Sequence, residues 1–254
     1  MRRFVFLLLG LLVVLPLRAA APPLLDAALK KFFADYDRWA FTQNIVEKDD
    51  KGKVVSEAVV RFDPSQPYEK QYVPLLVDGK TPTEKQLKKY RKQGEKRGNR
   101  AEKAEKEGKE VRQSLGELMD IDRATVYGDD GKTITFEVPL KKEGNKRLPP
   151  EKFLVLVKVG KESQAFESVT VNLREAMRAA LVVKVKKGAG QIAFAVVDPK
   201  FAPAIVSIHG EASGSVMFIS VGRDYDVKLT DFKRVKPYAE RFGVQLGPLK
   251  ALDF

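Results

Sequence analysis

The strongest constraint on the fold is a two-residue alternation of apolar and polar side chains that recurs from Trp39 to Thr230. A helix repeats its apolar face every three to four residues, whereas a strand repeats it every two. Trp39 to Val46 alternates in this way, Asp49-Asp50-Lys51-Gly52 reads as a turn, and Val54 to Phe62 returns as a second strand. Asp63-Pro64-Ser65-Gln66-Pro67 breaks the chain, and Tyr72 to Val77 reads as a third strand closed by Asp78-Gly79. Ala124 to Tyr127 and Thr133 to Val138 flank Asp129-Asp130-Gly131, a favourable hairpin link. Phe153 to Val159 and Phe166 to Leu173 follow. Leu181 to Val185 and Gln191 to Val197 flank a glycine-rich turn at Lys187 to Gly190. Pro203 to Gly210, Ser215 to Val221 and Asp224 to Thr230 complete the run, with Gly210 to Ser215 as a strand connection. About ten strands with short links predict antiparallel pairing. No internal repeat and no strand–helix alternation is present, which excludes a doubly wound parallel fold.

Two segments break this period. Leu25, Ala28, Leu29, Phe32, Phe33, Tyr36 and Trp39 recur at helical spacing, so Leu24 to Trp39 predicts an amphipathic helix lying on the sheet. Thr81-Pro82-Thr83-Glu84 opens a second helix, with Thr81 or Thr83 as cap. Past Lys92, the glycines at 94, 98 and 108 predict a weakly helical or mobile stretch. The expected fold is mainly β with α: a strongly curved antiparallel sheet or unclosed β-barrel covered by helices, in one domain over residues 22–254.

Residues 1–21 read as a secretory signal peptide. Arg2 and Arg3 precede an uncharged run from Phe4 to Leu17, and small residues follow at Ala19 to Ala21. The run is shorter than the roughly 20 apolar residues of a transmembrane helix. Cleavage after Ala19 or after Ala21 is compatible with the pattern. Export to the periplasm is the expectation. The chain has no cysteine, which excludes disulfides, thiol catalysis and cysteine-ligated metal.

The formal net charge of +12 is unevenly placed. Between Lys80 and Gln113 there are 13 basic and 6 acidic residues. With Arg2, Arg3 and Arg18 removed, the rest of the chain is close to neutral. Lys85, Lys88, Lys89, Arg91, Lys92, Lys96 and Arg97 are therefore the candidates for an anionic surface, namely lipid head groups or an acidic partner. The competing reading is a solvated helix whose lysines pair with Glu102, Glu105, Glu107 and Glu110. Nucleic acid is not expected, because the chain reads as exported and Tyr90 is the single aromatic within the charged run.

The catalytic inventory is thin. His209 is the single histidine, and alternation places it with Ile205 and Ser207, opposite Ala204, Val206 and Ile208. No triad spacing, phosphate loop or nucleophile elbow accompanies it. Asp120/Asp122 and Asp224/Asp226 are carboxylate pairs of the solvated strand-edge kind. No catalytic residue, metal site or cofactor is assigned. The more informative candidates are apolar: Trp39, Phe41, Phe62, Phe136, Phe153, Phe194, Ile205 and Phe218 would line the concave face of a curved sheet, or simply fill its core.

The order of these elements resembles the periplasmic lipoprotein carrier and outer-membrane lipoprotein-sorting families (LolA-like). The likeness is carried by the signal peptide, the leading amphipathic helix, the strand starting at Trp39-Ala40-Phe41-Thr42-Gln43 and the long antiparallel run. It extends to the ending, with Met217 to Gly222, Tyr225 to Thr230 and Asp231 to Tyr238. The resemblance implies an unclosed β-barrel, covered by helices, whose apolar space takes lipid acyl chains; a monomeric carrier without enzymatic activity is the expectation. It assigns no individual residue. The Lys80 to Gln113 segment is longer and more basic than a simple lid helix of those families. An envelope interaction protein with a filled core, acting through that segment, is the alternative expectation.

Overall fold

The computed structural model describes residues 20–107, 118–142, 149–180, 183–216 and 219–241. The signal peptide up to residue 19, the end of the basic segment from 108 to 113, and Phe218 lie outside the described residues. One open antiparallel sheet of eleven strands organises the chain. In sequence order the strands are β1 (Trp39–Asp49), β2 (Val54–Phe62), β3 (Tyr72–Val77), β4 (Thr125–Asp129), β5 (Thr133–Glu137) and β6 (Phe153–Gly160). Then come β7 (Ala165–Leu173), β8 (Met177–Ala180), β9 (Val183–Ala195), β10 (Ala204–Val216) and β11 (Ile219–Arg234). Across the sheet the order is β3-β2-β1-β11-β10-β9-β7-β6-β5-β4, with β8 beside β9. The curved sheet does not close, since β3 and β4 remain its two edges.

Helix α1 (Pro23–Asp35) covers part of one face. Its stripe of Leu25, Ala28, Leu29 and Phe32 packs against Phe136 of β5, Val155, Val157 and Val159 of β6, and Phe166 and Val169 of β7. Leu25, Ala28 and Val157 are fully shielded from solvent. Pro23 supplies the φ a first helical turn needs and lacks the N–H that would have no partner there. Cover by helices is limited. Only α1 and α2 (Glu84–Lys106) are found among the described residues, and α2 packs on β3 and on the 3-10 turn Tyr68–Lys70.

Helix α2 starts on a capping box. Thr83 Oγ1 accepts the Gln86 N–H at 3.4 Å, and Gln86 Oε1 accepts the Thr83 N–H at 2.7 Å. It then continues through Gly94 and Gly98 to Lys106, so the weakly helical stretch expected after Lys92 is an ordered helix up to that residue. The glycines serve packing. A Cβ at Gly94 would stand 2.2 Å from the Tyr68 carbonyl oxygen, and one at Gly98 would stand 3.1 Å from the Tyr68 ring. With Ala101 they form the buried stripe by which the helix lies on this turn.

Two other turns expected from glycine are strand. Lys187 to Gly190 lies inside β9, where Gly190 pairs with Gly210 and Gly188 with Ala212. Gly210 to Ser215 lies inside β10, paired on both sides. A central strand gains its ladder from both neighbours, and this outweighs the weak strand preference of glycine. A bulge at Val206 also corrects the facing of β10. Ile205 pairs with Phe194 and Ser207 with Ala193, which puts Ile205 on the same face as Ile208, with His209 on the opposite face.

In an exposed helix interior, Gly94→Ala would stabilise by about 1 kcal/mol. Here the added methyl meets backbone, so we expect a loss of about 1–3 kcal/mol instead. Urea unfolding of the variant decides between the two signs.

Candidate functional site

Beyond the C-terminal end of α1 the sheet face is not filled. A cavity of about 170 Å³ opens there, between Phe32, Asp35, Tyr36 and Asp37 and the ends of five strands. Trp39, Phe41 and Gln43 come from β1, Phe62 from β2, Tyr72 from β3, Ile205 and Ile208 from β10, and Leu229 and Phe232 from β11. The register explains the convergence. Phe41 pairs with Phe62 and Phe62 with Tyr72, so neighbouring strands present rings at the same level.

These rings form a continuous aromatic belt. Centroid separations are 5.6 Å for Phe201–Trp39, 6.1 Å for Trp39–Phe232 and 5.8 Å for Phe232–Phe41. They are 5.0 Å for Phe41–Phe62 and 4.5 Å for Phe62–Tyr72. A cation caps each end: the Arg234 guanidinium lies 4.1 Å from the Phe201 centroid, and that of Arg97 lies 4.1 Å from the Tyr72 centroid. Trp39 Nε1, Arg234 Nη1 and Arg97 Nε and Nη2 are buried without a hydrogen-bond acceptor. Aromatic faces, which carry negative charge, stand beside the two guanidinium groups. Burial pushes the Arg97 guanidinium below its ordinary pKa and the Tyr72 hydroxyl above its own, with Arg97 opposing the Tyr72 shift.

Asp35 fastens the rim. Its carboxylate pairs with Arg234 and accepts the Ala202 N–H at 3.0 Å. Partial burial pushes its pKa up, but the Ala202 bond and the Arg234 charge outweigh this and hold it below the ordinary carboxylate value.

The sequence-derived apolar candidates separate into groups. Trp39, Phe41, Phe62 and Ile205 line the cavity. Phe136 is core, with 2% exposure. Phe194 packs on the core, with its ring centroid 5.5 Å from those of Phe32 and Phe166. Phe153 opens β6 opposite Leu173, away from the cavity lining. Tyr72, Ile208, Leu229, Phe232, Phe32 and Tyr36 line the cavity without having been singled out. The signal available for Tyr72 was its position at the start of a strand following an aromatic strand end.

Lys85, Lys88, Lys89, Arg91, Lys92 and Lys96 are exposed on α2. Arg91 contacts Glu84 at 3.4 Å, whereas the five lysines have no carboxylate partner among the described residues. The glutamate pairing expected of a merely solvated helix is represented by Lys103–Glu107 at 3.8 Å. Arg97 does not share that outer face, because it is half-buried over Tyr72. On the opposite face of the sheet, His209 Nδ1 meets Asp226 Oδ1 at 2.7 Å, and Lys48 Nζ lies 3.4 Å from Asp226 Oδ2. All three side chains are at least one-third exposed, forming a surface ion cluster. No group of three or more metal-ligating side chains occurs among the described residues.

Comparison with family models, with curated proteins and with solved structures gives no match to this chain.

A group whose folded pKa is depressed stabilises above its unfolded pKa, and that contribution is lost as pH falls through the folded value. Asp35→Asn should therefore lower stability at pH 7 by roughly 2 kcal/mol, the range for a hydrogen-bonded charge. The deficit should begin to shrink below about pH 4, where the carboxyl of the unfolded chain protonates, and close only as pH falls through the lower folded value. Urea titrations at pH 7 and pH 3 check both halves.

Proposed function

We propose that the protein is an exported, non-enzymatic carrier or binding protein for the acyl chain of a lipid or lipoprotein. Its place would be outer-membrane lipoprotein sorting or envelope lipid transport, in the periplasm, as a monomer. The observation that carries the reading is the aromatic-lined cavity between the end of α1 and the open sheet. Its lining is mostly hydrocarbon, and Asp35 at its rim is engaged with Arg234. Such a space selects by apolar burial. The signal-peptide pattern supports export, and the unclosed sheet accords with the resemblance to lipoprotein carriers.

The cavity size narrows the ligand. Ligand pockets for drug-sized molecules measure about 300–1,000 Å³, and a dry cavity of about 150 Å³ holds one benzene. At about 170 Å³, this cavity takes a segment of one chain rather than a pair of tails. The unpaired lysines on the outer face of α2 would hold anionic head groups or an acidic membrane partner. The same lysines favour the second reading, an envelope interaction protein that acts through α2 and needs no cargo.

Native mass spectrometry of the purified protein, followed by organic extraction, separates the two. The carrier reading expects copurified lipid or acylated peptide. It also expects affinity for single-chain ligands to rise about fourfold per added methylene until the cavity is full, since each buried CH₂ contributes about 0.8 kcal/mol. Ile208→Trp, which fills the cavity, should abolish uptake in a folded protein. An apo mass with no uptake of offered lipid overturns the carrier reading and leaves the α2 interaction.

A further inference from the structure

We infer that Gln43 is the specificity-determining residue of the cavity, and that the ligand it selects is a single hydrocarbon chain bearing a neutral carbonyl group, an ester or an amide. The inference rests on the cavity reading of the proposed function and names what that cavity distinguishes.

Trp39, Phe41 and Gln43 alternate onto one face of β1, and all three line the cavity. The strands that line it run β3, β2, β1, β11 and β10 across the sheet, so β1 is the middle of the wall. Gln43 is partly buried there. Its cross-strand partners are Val60 on β2 and Leu229 on β11, which are 1% and 7% exposed. An amide thus stands between two shielded aliphatic side chains, where the apolar period of this face requires a third.

Most other polar groups of the lining are already engaged or out of reach. Asp35 is held by Arg234 and the Ala202 N–H. Tyr36 and Asp37 interact within the protein. Trp39 Nε1 is shielded inside the wall. The Tyr72 hydroxyl has no hydrogen-bond partner among the described residues, but its ring closes the far end of the belt beside Arg97. Gln43 also makes no side-chain hydrogen bond among the described residues, and it is central. Its amide offers two N–H donors and one carbonyl acceptor. Enclosing that amide beside hydrocarbon is costly unless the ligand pairs with it, whereas leucine would carry no such cost. Such a position trades stability for recognition.

The lining also decides the charge of what pairs with Gln43. Its charged members, Asp35 and Asp37, are both acidic, and Arg97 and Arg234 are not among the lining residues. A carboxylate would lose its water here without meeting a counter-charge. A bare alkane would leave the amide unpaired. An ester or amide carbonyl accepts a Gln43 N–H, carries no charge and is joined directly to the chain that the aromatic belt encloses.

Trp39 is the single tryptophan of the chain and lines the cavity, so its fluorescence reports occupancy. The test titrates wild type, Gln43→Leu and Gln43→Met with N-methylhexanamide, methyl hexanoate, hexanoate at pH 8, and heptane supplied at controlled vapour pressure. Both variants should bind the ester and the amide about fivefold more weakly than wild type, the ratio for one neutral hydrogen bond, and heptane as tightly or more tightly. Wild type should bind hexanoate roughly tenfold or more weakly than methyl hexanoate. Urea midpoints of the variants should equal or exceed that of wild type. A larger loss for the amide than for the ester assigns the amide linkage, because only that ligand returns an N–H to Gln43 Oε1; equal losses assign the carbonyl alone. Unchanged ester and amide binding in the variants overturns the inference and leaves the cavity reading standing. Hexanoate bound as tightly as the ester overturns the neutral-carbonyl assignment. Lower urea midpoints in both variants, or failure of both to fold, assign the amide to the fold and overturn its role in recognition. A wild type whose Trp39 responds to none of the four ligands, heptane included, overturns the cavity reading itself.

Discussion

Everything in this fold depends on the seating of α1 on the sheet. An antiparallel sheet with one apolar face must have that face covered, and an open sheet has no second sheet to do it. Leu25, Leu29 and Phe32 each contribute about 2 kcal/mol of burial against β5 to β7. That seat determines where the chain leaves the helix and therefore where Trp39 enters β1. The Asp35–Arg234 pair and the Val235 N–H bonded to the Arg38 carbonyl at 2.9 Å fasten the exit to the far end of β11. The cavity is the part of the sheet face that a helix of 13 residues leaves uncovered.

One aromatic belt builds the cavity wall. The aromatic belt from Phe201 to Tyr72 joins strands distant in the sequence and uses Arg234 and Arg97 as its end caps. These cations are held by ring faces, and Arg234 also by Asp35, so they stabilise the wall without lining the cavity. What remains to meet a ligand is mainly ring edge and aliphatic carbon. Affinity in such a space follows the area removed from water, which discriminates by length and thickness of a chain.

Charge is distributed on a different plan. The outward-facing side of the sheet carries balanced ion pairs such as Lys48–Asp226 and Lys158 with Asp130 and Glu167. Lys85, Lys88, Lys89, Lys92 and Lys96 of α2 and Lys184, Lys186 and Lys187 of β9 are exposed and form no ion pair among the described residues. Balanced pairs contribute little net field, whereas unbalanced runs act at a Debye length. The protein thus separates an apolar interior cavity from cationic exterior surfaces.

How much of this was legible depended on how local the cause was. The β1–β2 hairpin, β3 and its Asp78-Gly79 turn, the β4–β5 hairpin and the apolar stripe of α1 follow from alternation, turn chemistry and helical spacing, all of which act within a few residues. The glycine-rich stretches at 187–190 and 210–215 misled for the same reason. Local chemistry says turn, but the ladder from two neighbouring strands decides strand. Gly94 and Gly98 read as helix breakers until Tyr68, distant in sequence, is seen against them. Of the aromatic candidates, Phe41, Phe62 and Phe136 alternate alike along their strands. Only the position of α1 makes Phe136 core and leaves the other two facing open space. The chain by itself determined the period of each segment, the sign of its charge and the absence of thiol chemistry. Tertiary structure decided which faces meet and which stay uncovered, because burial is a property of what packs opposite a side chain and no local pattern encodes the opposite side.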